Sequence, residues 1–416
     1  MEAREIKGLE IAAKHKLTRK GKSNLWLVPS QAGQEEKYTV ALTGEKPECT
    51  CRDFEFRNEK CKHIFAVEYT IQREQTADGQ TVVTETVTVT RQTYSQDWSA
   101  YNTAQTQEKS QLQALLYELC RDIPEPIQQG RGRPRLSLAD MIFSSTFKIY
   151  STVSGRRFMS DLREARARGY LSQTPHYNSV FRYLEAEALT PYLYALINIS
   201  SLPLKSVESD FAVDSSGFST GQFMRWLDVK YGKEEDRRMW LKVHLICGVK
   251  TNIVTAVQVS DGYAHDYPFF KGLVDSTANA GFKMKEISAD KGYLGASNML
   301  ATLQRGAIPY IPFKSNSVPD SSGTYSAKSE LWTRMFDFYN NHREEFLTHY
   351  HKRSNVETTF HMIKSKFGQR LRSKTLTAQV NEALCKVLCH NLCVVIQSQH
   401  ELGIETNFSS EEHAAA

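Results

Sequence analysis

The sequence predicts a mixed α/β protein in three blocks, and three observations carry that expectation. Near the start, Cys49-x-Cys51 is followed by Cys61-x-His63 on a strand-then-helix pattern. The middle of the chain reads as short helices with a basic linker among them. From about residue 206, three apolar strand-like runs give way to alternating helix and strand, the layout of a mixed sheet covered by helices.

The bounds are ordinary. At 416 residues there is room for two to four domains, each with its own core. Composition, at 40% hydrophobic and 24% charged, is that of a globular protein. No run approaches 18 apolar residues, so no membrane span is expected. The opening MEAREIKGLE lacks the apolar stretch of a signal peptide. A net charge of +5 permits nucleic-acid binding without demanding it. Eight cysteines are too sparse for a disulfide scaffold and suit a reducing, cytoplasmic setting.

The first block runs over residues 1–75. LWLVPS and KYTVALTG read as strands around a polar turn, followed by PECTCRDFEFRNEKCKHIFAVEYTIQRE. On a strand, Cys49 and Cys51 face the same way. Cys61 and His63 repeat the one-residue gap at the start of a helical pattern, where thiolates are favoured. Three sulfurs and one imidazole make a closed structural Zn²⁺ set of Cys49, Cys51, Cys61 and His63. Across residues 24–75 this order resembles the SWIM zinc finger, a small ββα module. The resemblance implies contact with DNA or protein and not chemistry.

Residues 76–110, including QTVVTETVTVTRQTYSQDW, are polar and Thr-rich and read as a linker with at most one exposed strand. Residues 111–205 read as helices: QLQALLYELCRDI, LADMIFSSTFKIY, SDLREARARGYL and NSVFRYLEAEAL. Their short lengths and basic third segment suit a helix-turn-helix-like DNA-binding domain. Between the first two lies QQGRGRPRLS, where Arg131-Gly132-Arg133-Pro134 resembles an AT-hook core for an A·T minor groove; a solvated basic linker reads equally well.

The third block covers residues 206–416. VESDFAVDSSGFS begins with a buried strand, and RRMWLKVHLICGVK with TNIVTAVQVSDG reads as a hairpin. Helix DYPFFKGLVDSTANAG, strand KEISADKGY, helix GASNMLATLQRG and strand AIPYIPFK follow, in the order of the ribonuclease-H-like fold. In ALCKVLCHNLCVVIQ, Cys385, Cys389 and Cys393 recur every four residues; the stripe reads as a core seam, with a metal set including His390 as the alternative.

Two carboxylates stand where strands end: Asp214 after Phe211-Ala212-Val213, and Asp290 after strand KEISA. Ligands of α/β sheets bind at such ends. A third, Glu357, is the only acid in YHKRSNVETTFHMIKSKFG. On a helix, Tyr350, Arg353, Glu357 and Lys364 fall within about 60° of one face. Ser354-Asn355-Val356-Glu357 also fits a capping box, which leaves the other three unexplained. Converging acids repel unless a divalent cation intervenes, and oxygen ligands suit Mg²⁺ or Mn²⁺. A pair of such ions serves phosphodiester chemistry, while cations beside them hold phosphates.

The third block resembles the DDE transposases of the insertion-sequence 4 type over roughly residues 206–400. Asp214, Asp290 in ADKGY and Glu357 match its three acids, and Tyr350-x2-Arg353-x3-Glu357-x6-Lys364 matches its Y-R-E-K signature. His265-Asp266 resembles an HD pair seen in that group, or is a local turn. The resemblance implies a catalytic set of Asp214, Asp290 and Glu357 holding two Mg²⁺ or Mn²⁺ ions, with Tyr350, Arg353 and Lys364 on phosphates. It implies cleavage at transposon ends and joining to target DNA, by at least a homodimer on DNA, in a prokaryotic cytoplasm at the nucleoid. Two other readings stay open: a non-catalytic regulator derived from a transposase, and a nuclease without strand transfer.

One departure stands out. About 40 residues, helical in pattern, separate PYIPFK from Glu357, where some members carry a β-rich insertion. Trp332 there reads as core packing or as a stacking surface for a base. Lys366, Arg370, Arg372 and Lys374 read as a track for a phosphate backbone or as a solvated face.

Overall fold

A computed structural model describes residues 3–15, 17–20, 24–30, 37–42, 46–57, 59–75, 97–125, 136–220, 240–319, 327–406 and 408. The chain divides into two compact units, Met1–Tyr94 and Ser95–Ala416. Among the described residues, no helix is long and apolar enough to cross a membrane.

The first unit holds α1 (Ala3–Lys14), β1 (Thr18–Arg19), β2 (Leu25–Pro29), β3 (Lys37–Ala41), β4 (Glu48–Cys49), α2 (Arg52–Arg57) and α3 (Lys62–Gln75). The two expected strands are β2 and β3, the centre of an antiparallel sheet in the order β1-β2-β3-β4. Trp26 and Val28 alternate inward on β2 and meet Val40, Ile64 and Val67 in the core. α1 packs closely on α3 because Gly8 has no side chain; a Cβ there would lie 2.5 Å from the Phe65 Cβ.

In the second unit, α4 (Trp98–Arg121), α5 (Leu138–Ser151), α6 (Gly155–Ala167), α7 (Tyr177–Leu184) and α8 (Leu189–Ser201) come first. β5 (Asp210–Ser219), β6 (Trp240–Gly248), β7 (Val254–Asp261), α9 (Phe270–Asn279), β8 (Glu286–Ala289), α10 (Ala296–Gln304) and β9 (Ile308–Tyr310) follow. The chain continues through α11 (Ala327–Asn341), α12 (Arg343–Tyr350), α13 (Ser354–Phe367) and α14 (Leu376–Leu402). The sheet order is β7-β6-β5-β8-β9, with β5, β6 and β7 antiparallel and β8 and β9 parallel to β5. Asn252, at φ 65°, supplies the left-handed residue of the β6–β7 turn.

Alternation along β5 sorts the two faces of the sheet. Phe211 and Val213 join α9 and α10 in one cluster, whereas Ala212 and Phe218 join α13 and α14 in another. Asp214 therefore belongs to the face covered by α13, and Ser215 to the opposite one.

Two expectations change here. Residues 98–110, expected as linker, form the first half of α4, anchored by the Asp97 side chain accepting from Ala100 N at 3.0 Å. The helices of residues 111–205 are not a separate unit: α4, α5 and α8 pack on α14 in the core that also covers the sheet. Arg131 and Arg133 lie outside the described residues. The cysteine stripe is a core seam, with Cys385 and Cys389 fully buried and raised by burial. His390, pushed down to about 4 by burial, bonds Asn252 O at 2.9 Å.

Candidate active site and metal cluster

The parallel pairing of β5 with β8 ends at Val213 opposite Ala289. The next residue on each strand is an acid, so Asp214 and Asp290 stand side by side, about 5 Å apart in backbone spacing. β8 stops there while β5 runs on to Ser219, which opens a crevice beside Asp214.

The third acid arrives on α13. A 3₁₀ turn at His351–Arg353 joins α12 to α13, so the helix has no side-chain cap, and the capping-box reading of Ser354 and Glu357 does not hold. Glu357 instead accepts from Arg353 Nη2 at 2.5 Å, and Arg353 Nη1 donates to Asp214 Oδ2 at 2.5 Å. One guanidinium thus spans two of the acids. Its buried Nε has no hydrogen-bond partner. Tyr350 lies under Arg353, with the guanidinium 5.9 Å from the ring centre. Lys364, two turns further along, donates to Ser216 Oγ at 2.6 Å and sits 5.1 Å over the Phe218 ring.

The electrostatics follow from burial and crowding. Burial pushes Asp214 up to about 6; Asp290 and Glu357 add to the rise, while the Ser215 N–H and Arg353 oppose it. Burial also raises Tyr350, helped by Asp290 and Asp214, and lowers Lys364. Carboxylates converging on one spot, beside a cation that compensates them incompletely, suit a hard divalent cation. Their ligand atoms are not yet gathered: among the described residues only the Cys/His group has its atoms within 4.8 Å of one another. Glu357 keeps 58% of its side chain exposed.

Two networks flank the acids, one around Asp266 of the expected His265-Asp266 pair and one around Lys352 that had no sequence signal. Behind the sheet, Asp266 Oδ1 accepts from Ser215 Oγ at 2.7 Å and pairs with Lys242 Nζ at 2.8 Å. His244 Nδ1 lies 3.3 Å from the same oxygen, and burial pushes this histidine down to about 4. His265, the other half of the expected pair, is exposed. At the start of the strands, Lys352 bridges Asp210 (2.7 Å) and Glu286, and His349 Nδ1 reaches Glu286 at 2.5 Å. Lys352 and Arg353 thereby fasten one turn to two levels of β5.

Of the basic residues expected along a phosphate backbone, Lys366 is tied to the buried Glu108, and Arg372 donates to Thr152 O at 2.6 Å. Trp332 packs edge-on against Phe313 and donates to Val318 O at 2.9 Å.

In the first unit, the expected metal set is assembled and buried. Cys49 and Cys61 Sγ lie 3.8 and 3.9 Å from His63 Nδ1. Tetrahedral zinc at ordinary bond lengths places such atoms about 3.5–3.8 Å apart, so the donors and their spacing fit. The Cys49 thiol, by bonding to Cys61, pulls Cys61 down to about 4 and is itself held high. A buried thiolate beside two further sulfurs calls for a cation.

Comparison with a solved structure, the piggyBac transposase synaptic complex with hairpin DNA, gives 12% identity and a TM-score of 0.34. The match covers 74% of this chain and 76% of that one. Residues 38–72 match the SWIM zinc finger family and residues 205–392 the transposase DDE domain family, so the chain carries a DDE transposase domain and an N-terminal SWIM zinc finger.

Proposed function

We propose that the protein is a metal-dependent DNA transposase of the insertion-sequence 4 type, cutting transposon ends and joining them to target DNA on a ribonuclease-H-like domain. The observation that carries this reading is the placement of Asp214 on β5 beside Asp290 at the end of β8, with Asp214 and Glu357 both held by the Arg353 guanidinium. The family match of the surrounding domain supports it.

Asp214, Asp290 and Glu357 would hold the metal ions, two Mg²⁺ or Mn²⁺, which supply activation of the attacking oxygen and neutralisation of charge at the leaving oxygen. The chain's own part is to hold and shape. Arg353 keeps Glu357 near Asp214 in the free protein, and its guanidinium is the cation that would meet a scissile phosphate beside them. Lys364, half-desolvated over Phe218, offers a second cation further along the crevice. Tyr350 walls the Asp290 side and orients the guanidinium.

The remaining assignments belong to the same reading. The zinc set is structural and presents the first unit to DNA or to a partner subunit. The helices of residues 111–205 contact DNA, and Arg131 and Arg133 add an AT-hook-like contact. Two copies act on paired ends, in the cytoplasm at the nucleoid.

The test is cleavage and joining of DNA carrying the gene's flanking ends, with Mg²⁺, for the wild type and Glu357→Gln. Cleavage and strand transfer by the wild type alone support the transposase. Cleavage without joining would reduce it to a nuclease, and binding without any product would leave a regulator.

A further inference from the structure

We propose that Asp266 is a positioning residue that sets the spacing of Asp214 and Asp290 from the far side of the sheet. This rests on the reading of those acids as a metal site. Alternation along β5 directs Ser215 to the opposite face from Asp214, and there its hydroxyl is held by Asp266 at 2.7 Å. Asp214 in turn accepts from the Ser215 backbone N–H at 2.8 Å, so the residue that orients the first acid is itself fastened from behind.

The same carboxylate group reaches the second acid's turn. Asp290 opens a 3₁₀ turn at Lys291–Tyr293, and a Cβ on Gly292 would lie 3.1 Å from Asp266 Oδ2. Glycine lets that turn lie against the carboxylate. A second tie runs through the buried Asn298, whose amide donates at 3.0 Å to both Tyr267 O, next to Asp266, and Tyr293 O. The segment carrying Asp266 therefore touches β5 beside Asp214 and the turn that Asp290 opens.

Asp266 is itself fixed. Oδ1 takes Ser215 Oγ and Lys242 Nζ, with His244 Nδ1 3.3 Å away, and Lys242 also donates to Ala264 O at 3.0 Å. His244 is stacked on Phe269 at 4.1 Å and bonds Ser260 Oγ at 2.8 Å. A carboxylate with one oxygen so occupied, on the far face, is not a ligand for a cation shared by Asp214 and Glu357. It acts through Ser215 and the Asp290 turn.

The experiment is Mn²⁺ binding by the full-length protein without DNA, followed by electron paramagnetic resonance, with thermal melts on the same samples. Asp214→Asn defines the site by removing it. Asp266→Asn and Ser215→Ala should melt close to the wild type yet bind Mn²⁺ on the order of tenfold more weakly, as loss of an orienting partner does. Wild-type affinity in a folded Asp266→Asn overturns the proposal; if that variant does not fold, Ser215→Ala decides by the same criterion. A wild type without Asp214-dependent Mn²⁺ binding would sink both the metal site and the positioning role. Mn²⁺ binding that responds to Asp266, in a protein that never cuts DNA, would sink only the transposase reading.

Discussion

Arg353 donates to Asp214 Oδ2 at 2.5 Å, and this bond makes the guanidinium the internal counter-ion of the acid cluster. Asp214 and Arg353 are each only about one-fifth exposed, so the pair is little screened. Arg353→Ala should leave Asp214 facing Glu357 and Asp290 unopposed, and cost about 2 kcal/mol at neutral pH. Added Mg²⁺ should then raise the melting temperature of the variant more than that of the wild type. Equal shifts would show that Arg353 does not share the work of a cation there.

Asp214 gives a pH prediction with a definite sign. Its folded value is raised to about 6, above the unfolded carboxylate value of about 3.9. The folded state therefore binds the extra proton between these values, and stability from this group is highest below pH 4 and falls as pH rises toward 6. Metal binding runs the other way, because the ion must displace that proton. Metal-dependent DNA cleavage should drop below about pH 6, and higher Mg²⁺ should move the drop to lower pH. A flat profile from pH 5 to 8 would contradict the assignment.

Zinc should matter to one unit only. A zinc-selective chelator, or Cys61→Ser, should expose residues 1–94 to protease while the second unit keeps its melting transition. Structural zinc contributes roughly 10–16 kcal/mol of apparent binding free energy to small modules of this kind, so partial loss of structure is not expected. A first unit that resists protease after verified zinc removal would overturn the structural role.

Asn391 predicts a stability effect far from the acids. Fully buried on α14, it accepts from Val254 N, and the two N–H groups of its amide are shared among Val254 O, Ile197 O and Ser200 Oγ. Asn391→Ala should cost about 3 kcal/mol, since several buried backbone groups lose their partner together. A denaturant melt showing less than about 1 kcal/mol would mean the strand edge finds other partners.

Much of this architecture could be read in the chain, because its signals are local. The apolar run before Asp214 and the alternation in LWLVP each lie within one element. The Cys49–His63 spacing is local too, although only Cys49 lies on the strand: Cys51 stands at the start of α2, and Cys61 and His63 at the start of α3. What could not be read depends on distant partners. Lys366 looked like a phosphate contact because Glu108, its partner, lies on α4. The first half of α4 was hidden by its polar turns, because its buried stripe of Ala104, Leu112, Leu115, Leu116 and Leu119 becomes dense only after Glu108. Asp266 gave no hint of its place, since Ser215, Lys242 and Gly292 come from three other segments.

The helix bearing Glu357 is moored to β5 at both ends. Before its first residue, Arg353 holds Asp214; beyond its last, Ser219 N donates to Gln369 O and Leu371 N to Ser219 O. The 14 residues of α13 span about 21 Å, and the five steps from Asp214 to Ser219 span about 17 Å. Helix and strand are thus two spans clamped together at each end, the difference in length taken up by the long Arg353 side chain and the turn after Gly368. Adding or deleting one residue between Glu357 and Gly368 would turn the helix by about 100° and break one clamp or the other. The fixed interval between Arg353, Glu357 and Lys364 is then a condition of mechanical closure, imposed on the sequence before any chemistry selects it.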